Sequence, residues 1–165
     1  MPAQLLDGRK IAKRLRERLR EAREAFGDRA VRLVSLEIGA NPAAAVYVRN
    51  QQQAAAEVGI DMEILNLPVG SSEAQLLGSI AELNNRSDVT GMLVQRPLPP
   101  GIDPRAVQMA IDPDKDVEGM HPVNMGTILY KEPKLPPCTA AAAQQLIVET
   151  GMDLRGSETV VVGHS

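Results

Sequence analysis

Short apolar segments alternate with segments of helical periodicity along most of this chain, and this alternation constrains the fold more than any other feature. The apolar segments predict three strands, at residues 31–38, 62–67 and 89–95. The segments around them predict helices, at residues 7–26, 42–58, 73–84 and 104–111. Strands that alternate with helices through short connections form a parallel sheet with helices on both faces. We therefore predict an α/β fold, a three-layer αβα domain with a mostly parallel sheet.

The carboxyl ends of the predicted strands are the expected place for a ligand, because open parallel sheets bind their ligands there. Polar side chains gather at two of these ends. Tyr47 and Gln51 lie one turn apart on the second predicted helix, while Gln95 and Arg96 end the third strand. We therefore expect a small-molecule pocket at this edge of the sheet.

The composition argues against a nucleic-acid module and against a membrane span. Aromatic residues make up only 2% of the chain, which leaves no platform for stacking bases, and the net charge is -3. Eight of the 18 basic residues lie in the first predicted helix, interleaved with acidic ones. That pattern is typical of a solvated helix face with i,i+4 ion pairs, and a polyanion-binding face is the alternative. No apolar run approaches the roughly 20 residues that a membrane span requires.

The single cysteine, Cys138, excludes an intramolecular disulfide framework and fits a reducing compartment. The amino-terminal residues carry no apolar signal core before their first charges, so we expect a cytoplasmic protein. No set of histidine, cysteine or carboxylate residues has the spacing of metal ligands, and we predict no metal.

The last third of the chain changes character. Residues 112–137 contain five prolines and no clear periodicity, which predicts a long irregular segment of a functional or linker type. A helix at residues 139–150 is expected next, and residues 158–165 predict a buried strand that enters a glycine turn. A dinucleotide-binding βαβ unit begins in this way, and an unpaired apolar strand would leave an exposed edge. We therefore interpret the chain as a fragment of a longer protein.

Seven segments, in order, make the chain resemble the bifunctional methylenetetrahydrofolate dehydrogenase/methenyltetrahydrofolate cyclohydrolases. They are LLDGRKIA, NPAAAVYVRN, AAEVGI, GMLVQRPLP, PDKDVEGMHPVN, PPCTA and VVVGHS. The resemblance implies a folate-binding catalytic domain at residues 1–138, a connecting helix and hinge at 139–157, and the first strand of a truncated Rossmann-type NAD(P) domain at 158–165. It implies NADP or NAD in the full-length protein and no cofactor on the fragment alone. It also implies a full-length homodimer and leaves room for a monomeric fragment.

The resemblance further implies which residues form the site. The family pocket uses a YxxxK pair, a glutamine after the third strand and a carboxylate in a KDVDG motif. Tyr47 and Gln95 match it, whereas Gln51 occupies the lysine position and Glu118 the aspartate position. We therefore assign Tyr47, Gln51 and Gln95 to catalysis. Substrate binding is assigned to Tyr47, Gln95, Arg96 and Glu118, with Glu118 accepting hydrogen bonds from the pterin edge.

Other positions carry weaker assignments. The resemblance implies that Gly163, His164 and Ser165 belong to the cofactor-binding turn. Ala44 stands where the family has serine, and Arg96 stands where it has leucine. Arg96 could bind an anionic ligand or lie in solvent at the rim. His121 is interpreted as a hydrogen-bonding residue of its loop, and Cys138 as a packed thiol.

Gln51 has the largest consequence for function, because an amide cannot take up or release a proton near neutral pH. Loss of general acid–base help reduces a rate by about 10²–10⁴, so the cyclohydrolase step is expected to be impaired. Enzymatic activity of this chain alone is left open, since it lacks both the lysine and the cofactor domain. The alternative is a non-catalytic paralogue that binds folate or another anionic heterocycle.

Overall fold

The structure is a computed structural model that describes residues 5–39, 42–130 and 132–163, without the side chains of residues 42–44. Its elements are, in order, α1 (Gly8–Ala25), β1 (Arg32–Ile38), α2 (Pro42–Glu57), β2 (Asp61–Leu67), α3 (Glu73–Asn85), β3 (Gly91–Val94), α4 (Pro104–Ala110), α5 (Pro122–Leu129) and α6 (Cys138–Val148). The strands predicted at residues 31–38, 62–67 and 89–95 and the five predicted helices are therefore all present.

The sheet has the strand order β2-β1-β3 and is parallel throughout. The central strand pairs Leu36 with Leu65 on one side and with Val94 on the other. Beyond β3, an isolated parallel bridge joins Met92 to Asp116. The predicted α/β class and parallel sheet are confirmed.

The two faces of the central strand differ because side chains alternate across a strand. Val34 and Leu36 are fully buried and pack with apolar residues of α3 and α4 in the main core. Ser35, between them in sequence, is also fully buried, but on the opposite face. That second face lies beneath α2. A fully buried polar side chain therefore lies between the sheet and one of its helices.

The helix α5 corrects the prediction that residues 112–137 are irregular. Pro122 is the first residue of this helix, where its missing N–H and fixed φ are tolerated. The imidazole Nδ1 of His121 accepts a hydrogen bond from the amide of Val123 at 3.1 Å and so caps the helix. The five prolines of this stretch predict irregular structure, although one of them begins a helix.

Residues 158–163 form no strand, and Val160, Val161 and Val162 are exposed. A strand requires a neighbour to take its backbone N–H and C=O groups, and no described segment lies beside this one. The assignment of residues 158–165 to a cofactor domain stays a prediction. Within the described ranges, no helix is both long enough and apolar enough to cross a membrane.

Candidate functional site

A cluster of uncharged polar side chains lies at the carboxyl ends of β1 and β3. Gln95 follows β3 directly, and its Nε2 donates hydrogen bonds to Ser35 Oγ and to Gln51 Oε1, each at 3.0 Å. Its backbone amide donates to the carbonyl of Leu36 at 2.8 Å and continues the pairing of β3 with β1. The site thus fixes the orientation of the Gln95 side chain with two acceptors. We call Ser35, Gln51 and Gln95 the amide cluster.

The structure brings together two residues that the sequence singled out, Gln51 and Gln95, from helix and strand positions 44 residues apart. Sequence reasoning missed Ser35, the third member. Its signal was present, because a polar residue interrupts the apolar run of β1 at a fully buried position. A buried hydroxyl in a strand needs a hydrogen-bond partner, and that partner is Gln95.

Tyr47 stands one helical turn before Gln51 and is 59% exposed. Its hydroxyl makes no hydrogen bond with any residue in the described ranges. An exposed aromatic ring beside a polar cluster is available to pack on a planar ligand. Ala44 lies in the first turn of α2, where side chains are outside the described part of the chain.

Glu37 is a second residue that sequence reasoning missed. It lies two positions after Ser35 on β1 and is half-buried. Its Oε1 atom is buried, and no hydrogen-bond partner for it occurs among the residues that the structure describes. Buried carboxylate oxygens usually have such a partner, since an unsatisfied one is energetically unfavourable.

Arg96 and Glu118 lie on a neighbouring cleft that has about 350 Å³ of empty space, part of it open to solvent. Asp116, Met120 and His121 also line it. Desolvation by the surrounding groups raises the pKa of Glu118, the attraction of Arg96 opposes this shift, and Asp116 adds to it. The two predicted residues therefore share one cleft and interact electrostatically.

The loop that carries Glu118 is organised by Asp116, which is only 2% exposed. One of its oxygens accepts from the amide of Glu118 at 3.2 Å. The other accepts from the amide of His121 at 2.8 Å and from Asn124 Nδ2 at 2.9 Å. Through these three hydrogen bonds, Asp116 holds the loop that positions Glu118 in the cleft.

Lys115 anchors the same loop to the carboxyl end of α3. Its Nζ donates to the backbone carbonyls of Leu83, Asn84 and Arg86 at 3.0, 2.8 and 2.7 Å. A helix leaves its last carbonyls unsatisfied, and a cation is favourable at that end. Lys115 and Asp116, the Lys-Asp pair of the family-like motif, therefore have a structural role in this chain.

Cys138, the first residue of α6, contacts the same loop at Val117. Its thiol donates to the carbonyl of Val117 at 3.3 Å. Desolvation, together with the negative charges of Glu118 and Asp116, raises the pKa of this thiol. A raised pKa keeps sulfur in the unreactive thiol form, although Cys138 is exposed and is not the packed residue that the sequence predicts.

The remaining predicted site residues are less constrained. Gly163 lies in the exposed segment after α6, while His164 and Ser165 fall outside the described residues. Within the described ranges, no group of three or more histidine, cysteine or carboxylate residues is arranged to hold a metal ion.

Comparison with known proteins places the chain in a family. The profile of the tetrahydrofolate dehydrogenase/cyclohydrolase catalytic domain matches residues 6–118. The bifunctional protein FolD 1 of Hydrogenovibrio crunogenus is 43% identical over 168 residues, covering 100% of this chain and 59% of that protein. This chain therefore spans less than two thirds of that relative.

Two crystal structures support the same relationship. The bifunctional enzyme FolD, methylenetetrahydrofolate dehydrogenase/cyclohydrolase, of Campylobacter jejuni has a TM-score of 0.91 and 32% identity, over 98% of this chain and 58% of that one. The Trypanosoma brucei enzyme, complexed with NADP cofactor and inhibitor, has a TM-score of 0.85 and 32% identity, over 92% and 54%. The chain belongs to the tetrahydrofolate dehydrogenase/cyclohydrolase family, and residues 6–118 correspond to the catalytic domain of that family.

Proposed function

We propose that this chain is the folate-binding part of a 5,10-methylenetetrahydrofolate dehydrogenase/5,10-methenyltetrahydrofolate cyclohydrolase whose cyclohydrolase step is impaired. The observation that carries the proposal is the 3.0 Å hydrogen bond between Gln95 and Gln51. It joins two amides, and neither side chain can act as an acid or a base near neutral pH. Hydrolysis of the methenyl bridge needs proton transfer, so the lack of a titratable group at position 51 reduces this step first.

The folate ligand is proposed to lie across the amide cluster and the Glu118 cleft, which are joined by the adjacent residues Gln95 and Arg96. Glu118 would accept hydrogen bonds from the pterin edge, and Tyr47 would pack on a ring of the ligand. Arg96 would offset the charge of Glu118 or bind an anionic group of the ligand. Gln95, already oriented by two acceptors, would position the reacting carbon.

The oxidation step is proposed to use NADP or NAD held by a second domain, begun by residues 158–165 and linked through residues 139–157. The nicotinamide supplies the hydride acceptor, while the residues of this chain bind and orient the folate and exclude water. We also propose a cytoplasmic location and a homodimer for the protein that carries both domains.

The decisive experiment is the Gln51→Lys substitution in the protein that carries both domains. We expect the cyclohydrolase rate to rise by about 10² or more, because a proton-transfer group is restored. The dehydrogenase rate should change much less. Gln53→Lys is the matched control, since it adds the same charge at an exposed position of α2 and should leave both rates unchanged.

The wild-type protein already distinguishes the alternatives. A cyclohydrolase rate equal to the dehydrogenase rate before substitution would show that hydrolysis is not impaired. Failure to bind tetrahydrofolate in a calorimetric titration, by a chain that is folded, would favour the non-catalytic paralogue for another anionic heterocycle.

A further inference from the structure

Glu37 is a charged residue in this site that the proposed function does not use. Its Oε1 is buried, and the residues in the described ranges offer that atom no hydrogen-bond donor. A buried anionic oxygen without a donor or a positive charge destabilises a fold. Such groups persist where a ligand supplies the missing partner, as strained and unsatisfied groups often do at functional sites.

The register of the sheet places Glu37 beside the amide cluster. Leu36 pairs with Val94, so the same register puts Glu37 opposite Gln95 on the neighbouring strand, about 5 Å away between backbones. Side chains two apart on a strand share a face, so Glu37 points to the same side as Ser35. Ser35 is bound to Gln95, and Gln95 to Gln51 beneath α2.

The charge balance of Glu37 and the amide cluster is unusual. Each member of the amide cluster is neutral, so none of them compensates the carboxylate of Glu37. Within the described ranges, Glu37 forms no salt bridge. A ligand that develops positive charge on this cluster would therefore meet an uncompensated negative charge, and this attraction is stronger at a partly buried site than in bulk water.

We propose that Glu37 stabilises the positive charge of the methenyl bridge of the folate ligand, and so favours oxidation of the methylene bridge over hydrolysis. This inference rests on the proposed function. In the oxidation, one C–H bond of the methylene bridge breaks, and the hydrogen leaves with both electrons to an oxidised nicotinamide. The carbon left behind shares one positive charge with its two neighbouring nitrogens. A carboxylate fixed in advance near this charge stabilises it without reorganisation.

The same electrostatics would slow hydrolysis. Attack of water forms a C–O bond, and loss of one proton to the solvent then leaves a neutral adduct that no longer has the favourable interaction with Glu37. The neutral Gln51 also gives the attacking water no general base. The carboxylate of Glu37, opposite Gln95 in the sheet register, and the uncharged amide of Gln51, hydrogen-bonded to Gln95, therefore act in the same direction.

The test compares a charged and an uncharged bridge in direct binding to the full chain. The ligands are 5,10-methenyltetrahydrofolate, titrated by rapid mixing and absorbance before it hydrolyses, and tetrahydrofolate, which lacks the bridge cation. Glu37→Gln removes the charge and keeps the shape. We expect it to weaken methenyltetrahydrofolate binding about tenfold or more relative to tetrahydrofolate binding.

Two further variants complete the design. Glu82→Gln removes one negative charge at an exposed position of α3 and should leave the affinity ratio unchanged. Glu37→Asp retains the charge and should preserve part of the preference for the cation, which keeps the test informative should Glu37→Gln fold poorly. Thermal unfolding of each variant verifies the fold.

The outcomes separate the two proposals. In the first outcome, the wild-type chain binds both ligands, and Glu37→Gln leaves the ratio of methenyltetrahydrofolate to tetrahydrofolate affinity unchanged. This result would overturn the role of Glu37 and leave the proposed function standing. Equal weakening of both ligands would overturn it too, since a merely structural role has that effect. A folded wild-type chain that binds neither ligand would overturn the folate function and the inference with it.

Discussion

Gln95, the first residue after β3, donates a hydrogen bond to Gln51 in the middle of α2 over 3.0 Å. The same Nε2 donates to Ser35 on β1, so one side chain connects two parallel strands with the helix that covers them. This arrangement uses both donor hydrogens of the Gln95 amide within the protein. Its carbonyl oxygen remains as the atom with which Gln95 can accept from a ligand.

Ser35→Ala should weaken folate binding by loosening this amide. The substitution removes one of the two acceptors that orient Gln95, and a hydrogen bond of this kind is worth about 1 kcal/mol. We therefore expect the affinity for tetrahydrofolate to fall about threefold to tenfold in calorimetric titration. Ser87→Ala, at an exposed position, is the control and should bind as the wild type does. An unchanged affinity in Ser35→Ala would show that Gln51 alone suffices to orient Gln95.

Lys115→Met should destabilise the domain, although Lys115 lies in a motif typical of the substrate site. The ammonium group donates to three carbonyls at the end of α3, and hydrogen bonds from charged groups contribute about 1.5–3 kcal/mol. Urea denaturation should show a loss of roughly 2 kcal/mol in unfolding free energy. Lys134→Met, at an exposed position, should be nearly neutral. Equal stabilities of the two variants would contradict this structural role.

Arg96→Met should raise the pKa of Glu118 further. Desolvation already raises that pKa above its ordinary value, and the attraction of Arg96 is the interaction that limits the rise. Removal of the guanidinium leaves burial and the like charge of Asp116 to act unopposed. A carbon-13 NMR titration of the Glu118 carboxyl carbon should detect the shift, and a pKa that stays the same or falls would refute the pairing.

The sign of the associated stability change follows from the direction of the shift. Because the folded-state pKa of Glu118 lies above the unfolded value of about 4.3, the folded state binds the proton more tightly. Stability from this group is therefore lost as pH rises through the folded pKa. In Arg96→Met that loss should extend to higher pH than in the wild type, and denaturation at a series of pH values measures it.

The alternation of apolar and helical segments was sufficient to predict the three strands, the parallel sheet and the pairing of sites on α2 and β3. The strands follow from periodicity, which is a local property of the sequence. The parallel sheet and the position of the site follow from general rules for α/β folds. The sequence therefore predicts that Gln51 and Gln95 lie at the same edge of the sheet. Ser35, the other hydrogen-bond partner of Gln95, could have been found from its polarity within an apolar strand.

Other features depended on tertiary contacts that periodicity does not contain. Helix α5 was missed because residues 112–137 contain five prolines and no clear periodicity, although the first turn of a helix accepts proline. The scaffold role of Lys115 depends on carbonyls of α3, about 30 residues earlier in the chain. The unpaired oxygen of Glu37 reflects an absent contact, and a sequence pattern gives no indication of that.

Gly119→Ala should be the most destabilising of the conservative changes near the site. Gly119 has a φ of 66°, which favours glycine, and the segment that precedes α6 packs directly on it. A Cβ atom there would lie 2.7 Å from the carbonyl carbon of Pro136 and 2.8 Å from the nitrogen of Pro137. Backbone atoms cannot rotate away, so the neighbouring segment or the Glu118 loop must move.

Gly101→Ala is the matched control, because Gly101 has a φ of 90° but nothing within 4 Å of an added Cβ. The loss of unfolding free energy in Gly101→Ala should therefore reflect the strain of a positive φ alone, without a steric clash of the added Cβ atom. We expect Gly119→Ala to lose about 1–3 kcal/mol more unfolding free energy than Gly101→Ala in urea denaturation. It should also weaken tetrahydrofolate binding, since Glu118 is the preceding residue. Equal losses in the two variants would mean that the close packing of residues 135–137 on the Glu118 loop adds nothing to stability.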